Sequence, residues 1–119
     1  MTDAPKISVL IPVYNGGEYL KQLVENLKSQ TLTDFEAVFV DDFSTDGSAA
    51  FLQNEAEQDG RFKIVHRAQK GGTAVKGIVY GLPYCAGQYL FYMSQDDLIE
   101  NDTLEKLYKT AVETNADIV

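Results

Sequence analysis

The sequence predicts a doubly wound α/β fold, a mainly parallel sheet with helices on both faces. Three observations predict it. Apolar, β-branched runs alternate strictly with segments of helical periodicity along all 119 residues. The runs lack the polar alternation of a half-exposed strand, so they read as strands covered on both faces. Acidic pairs follow the second and fourth runs, at the carboxyl ends of strands, where folds of this class hold their ligands.

Each element follows from a local signal. "ISVLIPVY", residues 7 to 14, is the first strand. Leu20, Leu23, Val24 and Leu27 then repeat at helical spacing. "FEAVFV", residues 35 to 40, is a second buried strand, and "DDFSTDGS" after it offers Ser, Thr and Asp as N-caps for a helix through Phe51 and Leu52. "FKIVH" is the third strand. The "KGG" turn opens a weaker helical segment from about Thr73 to Cys85, whose last turn Pro83 ends or kinks. "QYLFYMS" is the fourth strand. Leu104, Leu107, Tyr108, Ala111 and Val112 form the clearest helical stripe, with Asp102 and Glu105 spaced as a capping box, and "ADIV" reads as the start of a further strand. Right-handed β-α-β crossovers make the sheet parallel. With strand order 3-2-1-4, the two acidic pairs flank the first strand at about 10 Å from each other, across one crevice.

Composition bounds the function. The chain is 45% apolar with no Pro/Gly/Ser-rich linker, which implies a single domain over residues 1–119. The net charge of -8, with only ten scattered Lys and Arg, excludes nucleic acid and an anionic membrane surface as partners. The single cysteine, Cys85, excludes an internal disulfide and a Cys-rich zinc site and reads as an inert small residue of a helix. His66, the only histidine, has no partner histidine or cysteine in sequence and reads as a polar strand terminus. No apolar run reaches the roughly 18 residues that span a bilayer, and "MTDAPK" lacks a signal peptide's apolar centre, so a cytoplasmic location is expected.

The acidic pairs Asp41-Asp42 and Asp96-Asp97 carry the chemistry. Aspartate at a strand-to-helix turn often only caps the next helix, and either pair alone leaves that reading open. Two pairs on one crevice point further. Adjacent like charges cost free energy unless a cation or a ligand's donor compensates them. Hard oxygen ligands suit Mg2+ or Mn2+, held by one or two carboxylates plus substrate phosphates.

"ISVLIPVYNGGEYL", "SQTLTDFEAVFVDDFSTDGS" and "AGQYLFYMSQDD" resemble, in order and spacing, the amino-terminal half of the family 2 glycosyltransferases, inverting enzymes of the GT-A fold that use nucleotide-sugar donors. The resemblance covers residues 6 to 119. It implies that Pro12, Tyr14 and Asp42, with Asp41 beside them, hold the base and ribose of a UDP-sugar. It also implies that Asp96 and Asp97 hold Mn2+ or Mg2+ on the diphosphate, Asp96 thereby touching the nucleotide. Two departures stand out. Ser94-Gln95-Asp96-Asp97 replaces the family's frequent Asp-x-Asp-Asp, which leaves the metal fewer protein ligands, and Ile78 and Val79 occupy the register of its usual Arg-Asn. Lys70 and Lys76 are available as phosphate-facing cations or as solvated surface residues.

The reaction so implied is a single displacement at the anomeric carbon, in which a base deprotonates a saccharide or lipid-linked acceptor for polysaccharide synthesis. The family's base lies well beyond the strand begun by "ADIV". The chain is therefore expected to hold the donor-binding half and to lack the acceptor site and the base, which would lie beyond Val119; membrane association of a longer protein stays open. Two alternatives remain. A magnesium-binding receiver domain has this length and fold, but its acidic pair follows the first strand, where this chain has "IPVYN". A dinucleotide-binding module needs G-x-G-x-x-G at that place, and "YNGGEY" does not supply it.

Overall fold

The run from Ile7 to Val13 is buried at every position except Pro12, which is half-buried, as a strand with cover on both faces requires. It is β1 (Ile7–Val13), followed by α1 (Gly17–Lys28), β2 (Phe35–Asp41), α2 (Ser48–Gln58), β3 (Phe62–His66), α3 (Ala74–Gly81), β4 (Tyr89–Tyr92) and α4 (Thr103–Thr114). The computed structural model describes residues 4–68 and 73–119. The four strands are all parallel, in the order β3-β2-β1-β4. The expected doubly wound sheet and its 3-2-1-4 order are therefore present.

Period-two alternation divides the buried residues between two layers. Ile7, Val9, Ile11 and Val13 of β1 and Phe35, Ala37 and Phe39 of β2 pack against α1 through Leu20, Leu23, Val24 and Leu27, with Leu52 of α2 and Leu104 of α4 completing that side. Leu10, Val38 and Val40 face the other way, with Ile78 and Tyr80 of α3 and Cys85 against them. α3 sits close to the sheet because it presents glycine. A Cβ on Gly81 would lie 2.6 Å from both Leu10 Cδ1 and Val40 Cγ2, and one on Gly77 would lie 3.0 Å from Pro12 Cβ.

Pro12 does not break the sheet. Met93 donates its backbone N–H to the Leu10 carbonyl, so even-numbered positions of β1 point their backbone groups toward β4. β4 ends at Tyr92, paired with Leu10, so the N–H that Pro12 lacks would have had no ladder partner. β1 and β4 part here, and the sheet opens into a crevice at the point where strand order reverses.

Three expectations need correction. The Asp102–Glu105 capping box does not form: Asp102 pairs with Lys106 at 2.8 Å, and Glu105 accepts from the Thr31 hydroxyl at 2.7 Å. The start of α4 is capped instead from α1's end, where buried Gln30 accepts the Leu104 N–H through Oε1 and donates to the Glu100 carbonyl through Nε2. "ADIV" is not a strand, because no neighbouring strand offers it a ladder among the described residues. α2 takes Gly47 as its N-cap, in the left-handed region at φ 91°, with no side-chain cap at that position. Asp46, one residue earlier, accepts the Ser48 N–H in its place at 3.0 Å. The reading of Pro83 holds: α3 gives way to a tight 3-10 turn over Leu82–Tyr84. Burial, and then the Glu36 carboxylate, push the Cys85 thiol above its ordinary value, in keeping with an inert cysteine.

Candidate functional site

A cavity of about 410 Å³ opens at the carboxyl ends of the strands. β1 contributes Pro12 and, just past its end, Tyr14; β2 contributes Val40 and, just past its end, Asp42. Thr73, Ala74 and Gly77 from the start of α3 and Ser94, Gln95 and Asp96 after β4 close the other sides. Thr73 caps α3 by accepting the Lys76 N–H at 3.2 Å. The positive end of that helix therefore borders the cavity, a favourable place for an anion.

Four of the six residues singled out in the sequence meet here: Pro12, Tyr14, Asp42 and Asp96. Asp41 does not. Successive strand residues face opposite sides of the sheet, and Asp41, 4% exposed, turns to the α1 side, where its Oδ2 lies 3.7 Å from His66 Nδ1. Asp97 is exposed but turns back on its own loop, its Oδ2 accepting the Ser94 N–H at 3.3 Å. Asp42, largely buried, has the Arg67 guanidinium 3.9 Å away, and that guanidinium lies over the Tyr80 ring. Lys76 is exposed and is not among the lining residues, while Lys70 lies outside the described residues.

The loop after β1 is held in a way that the sequence reading missed. Its four consecutive backbone N–H groups each find a side-chain acceptor: Tyr14 on Gln95 Oε1, Asn15 on Ser44 Oγ, Gly16 on Ser48 Oγ and Gly17 on Asp46 Oδ2, all at 3.0 to 3.1 Å. Asn15 returns the contact by accepting the Thr45 N–H at 2.8 Å. The turn requires positive φ at Asn15 (46°) and Gly17 (55°), positions suited to Asn and Gly. The Ser48 hydroxyl, together with backbone N–H groups, holds the Asp46 carboxyl below its ordinary value. Ser44, Asp46 and Ser48 thus fasten the segment after β2 to the segment after β1, and both segments carry cavity residues. Thr73 carried a usable signal, a capping residue type ahead of an apolar helical segment, while the "KGG" turn read before it lies outside the described residues; Gln95 carried none.

The lining offers two carboxylates, Asp42, which has the Arg67 guanidinium near it, and Asp96, which shares its segment with Ser94, and no cluster of three or more His, Cys, Asp or Glu suited to a metal occurs among the described residues. Such a set fits a divalent cation only as a shared ligand, with substrate phosphates completing its shell. It does not fit a metal site built from protein alone.

The model of glycosyl transferase family 2 matches residues 8–119. The chain belongs to that family. Glycosyltransferase GlyG of Streptococcus pneumoniae serotype 4 is 36% identical over 113 residues, covering 95% of this chain and 37% of GlyG. Among solved structures, TarS of S. aureus in complex with UDP-GlcNAc superposes with a TM-score of 0.87 at 28% identity, over 94% of this chain and 32% of that one. The mannosyltransferase PcManGT of Pyrobaculum calidifontis, in complex with GDP-Man and Mn2+, gives 0.80 at 25% identity, over 92% of this chain and 33% of that one. The chain thus spans about a third of the length of these relatives. Among the described residues, no helix is long and apolar enough to cross a membrane.

Proposed function

We propose that this chain carries the donor site of an inverting glycosyltransferase that moves a sugar from a nucleoside diphosphate, a UDP-sugar, to an acceptor hydroxyl. The observation that carries the reading is that one cavity is lined by Tyr14 after β1, Asp42 after β2, Asp96 after β4 and the amino end of α3. Tyr14 would stack on the base and Asp42 would accept its ring N–H, together contributing about 2 to 4 kcal/mol. The diphosphate would lie against the start of α3 and reach toward Asp96. Mn2+ or Mg2+ held there by Asp96, with the Ser94 oxygen near it, would supply neutralisation of the charge that develops on the leaving diphosphate. Asp97, turned onto its own loop, is given the lesser part in holding that ion.

The complexes of TarS with UDP-GlcNAc and of PcManGT with GDP-Man and Mn2+ support a nucleotide-sugar donor and leave the base to be tested. Membership of the family implies that activation of a saccharide or lipid-linked acceptor falls to a base outside these 119 residues. The acidic composition and the free Cys85 support a cytoplasmic setting.

Calorimetry with UDP, GDP, CDP and ADP, each with Mn2+ and with a chelator, tests the reading. UDP is expected to bind best and to lose most of its affinity with the chelator. Asp42→Ala should weaken UDP by tenfold or more, and Asp96→Asn should remove the Mn2+ dependence. Equal affinity for GDP, or UDP binding that ignores the chelator, refutes the corresponding assignment.

A further inference from the structure

We propose that Gln95 is a positioning residue that fixes the nucleoside side and the diphosphate side of the cavity relative to each other. Its carboxamide makes two hydrogen bonds to one peptide edge: Nε2 donates to the Tyr14 carbonyl at 2.9 Å, and Oε1 accepts the Tyr14 N–H at 3.0 Å. Residues 14 and 95 are 81 apart in sequence, and no ladder joins them, because β1 and β4 have already parted at Tyr92. The contact therefore bridges the opening of the sheet. It ties the residue beside Asp96 to the backbone of Tyr14, and Tyr14, Gln95 and Asp96 all line the cavity. The clamp is built to tolerance: a Cβ on Gly16 would come within 3.1 Å of Gln95 Oε1.

A ligand that spans both sides gains from having them preset, as two linked binding events do; a ligand that touches one side gains little. This inference rests on the donor-site reading and adds to it a division of labour: Gln95 serves the span between the two ends.

The test uses UDP with Mn2+ as the spanning ligand and uridine as the one-sided ligand. Gln95→Ala should lower UDP affinity about tenfold, the scale of two lost hydrogen bonds, while uridine affinity by NMR titration changes less than twofold. Gln95→Glu keeps the acceptor for the Tyr14 N–H but sets a carboxylate oxygen against the Tyr14 carbonyl, so it should not restore UDP affinity. Amide exchange reads the clamp without ligand: exchange at Tyr14 should quicken in Gln95→Ala while α1 and β2 keep their protection. An equal fall for UDP and uridine, or no fall for either, overturns the role given to Gln95. If exchange at Tyr14 behaves as expected but the unmodified protein binds neither UDP nor uridine, the donor-site reading fails and takes this role with it, while the clamp stands.

Discussion

Replacing Gly81 with alanine opposes two effects, and the structure decides which wins. Gly81 is the last residue of α3, where alanine's advantage as a helix former falls below the roughly 1 kcal/mol of a helix interior, so propensity alone predicts a small gain in stability. The added methyl would lie 2.6 Å from Leu10 Cδ1 and 2.6 Å from Val40 Cγ2. Ordinary carbon contacts lie near 3.5 to 4.0 Å, so each neighbour would have to retreat by about 1 Å. Neither can retreat cheaply, because Leu10 is 0% and Val40 1% exposed, both closed in between α3 and the sheet. Overpacking of this kind costs about 1 to 3 kcal/mol, which outweighs that gain and leaves a net loss of up to about 2 kcal/mol. At about 2.1 cal/mol/K of unfolding entropy per residue, 119 residues give roughly 250 cal/mol/K, so the melting temperature should fall by up to about 8 °C. Because Thr73, Ala74 and Gly77 of the same segment line the cavity, a lifted α3 should also weaken UDP. Thermal melts and UDP titration of Gly81→Ala, with Gly60→Ala as control since no atom lies within 4 Å of its added methyl, check both effects. A variant that melts at or above the unmodified protein refutes the close seating of α3 on β1 and β2.

Gln30→Leu should cost about 2 kcal/mol, since it leaves the Leu104 N–H and the Glu100 carbonyl without their partner, and amide exchange at Leu104 should quicken before that of β1. Ser48→Ala should cost about 1 to 3 kcal/mol by orphaning the buried Gly16 N–H, with a measurable loss of UDP affinity because the loop carrying Tyr14 loosens; unchanged melting would remove Ser48 from that role. For Glu36, burial opposes the charge, but the Lys63 ammonium, the Ser8 hydroxyl and the Ala86 N–H outweigh it and hold the carboxyl below its ordinary 4.5. A depressed folded value stabilises above the unfolded value and is lost on acidification, so the melting temperature should fall as pH drops below about 4.5, and Glu36→Gln should flatten that part of the curve.

The parallel strands were legible because they follow from periodicity and chain order, and the order 3-2-1-4, taken over from doubly wound folds, placed the cavity. Unbroken apolar runs give strands covered on two faces, and parallel crossovers leave few ways to arrange four of them. What stayed illegible depends on which residues meet across long separations. The capping of α4 by Gln30 joins residues 74 apart, and the spacing of Asp102 and Glu105 says nothing of the competitors Lys106 and Thr31. "ADIV" shows the limit of propensity: four residues that favour a strand still need a partner to bond with. The pairing of Asp41 with Asp42 was legible in principle. Period-two alternation forbids adjacent strand residues from sharing a face, and only Asp42 could join the cavity once β2 was taken to run to its end.

The stretch from 94 to 104 that carries Asp96 into the cavity has no strand and reaches its helix only at Thr103. Side-chain carboxamides hold it at three places. Gln95 grips Tyr14; Asn26 donates to the Ile99 carbonyl at 2.7 Å and accepts its N–H at 2.9 Å; Gln30 takes the Glu100 carbonyl and the Leu104 N–H. A carboxamide presents one donor and one acceptor side by side, the complement of a peptide edge, so it can fix irregular backbone as a neighbouring strand would. It also brings no charge. The same stretch contains Asp96, Asp97, Glu100 and Asp102, and a lysine or arginine placed to grip its carbonyls would be drawn to those carboxylates instead. Neutral clamps therefore separate two tasks that a charged clamp would mix: amides hold the backbone, and the Asp96 carboxylate is left facing the cavity. An acidic loop can then serve an anionic ligand through a shared cation, because the groups that fix the loop do not compete for either.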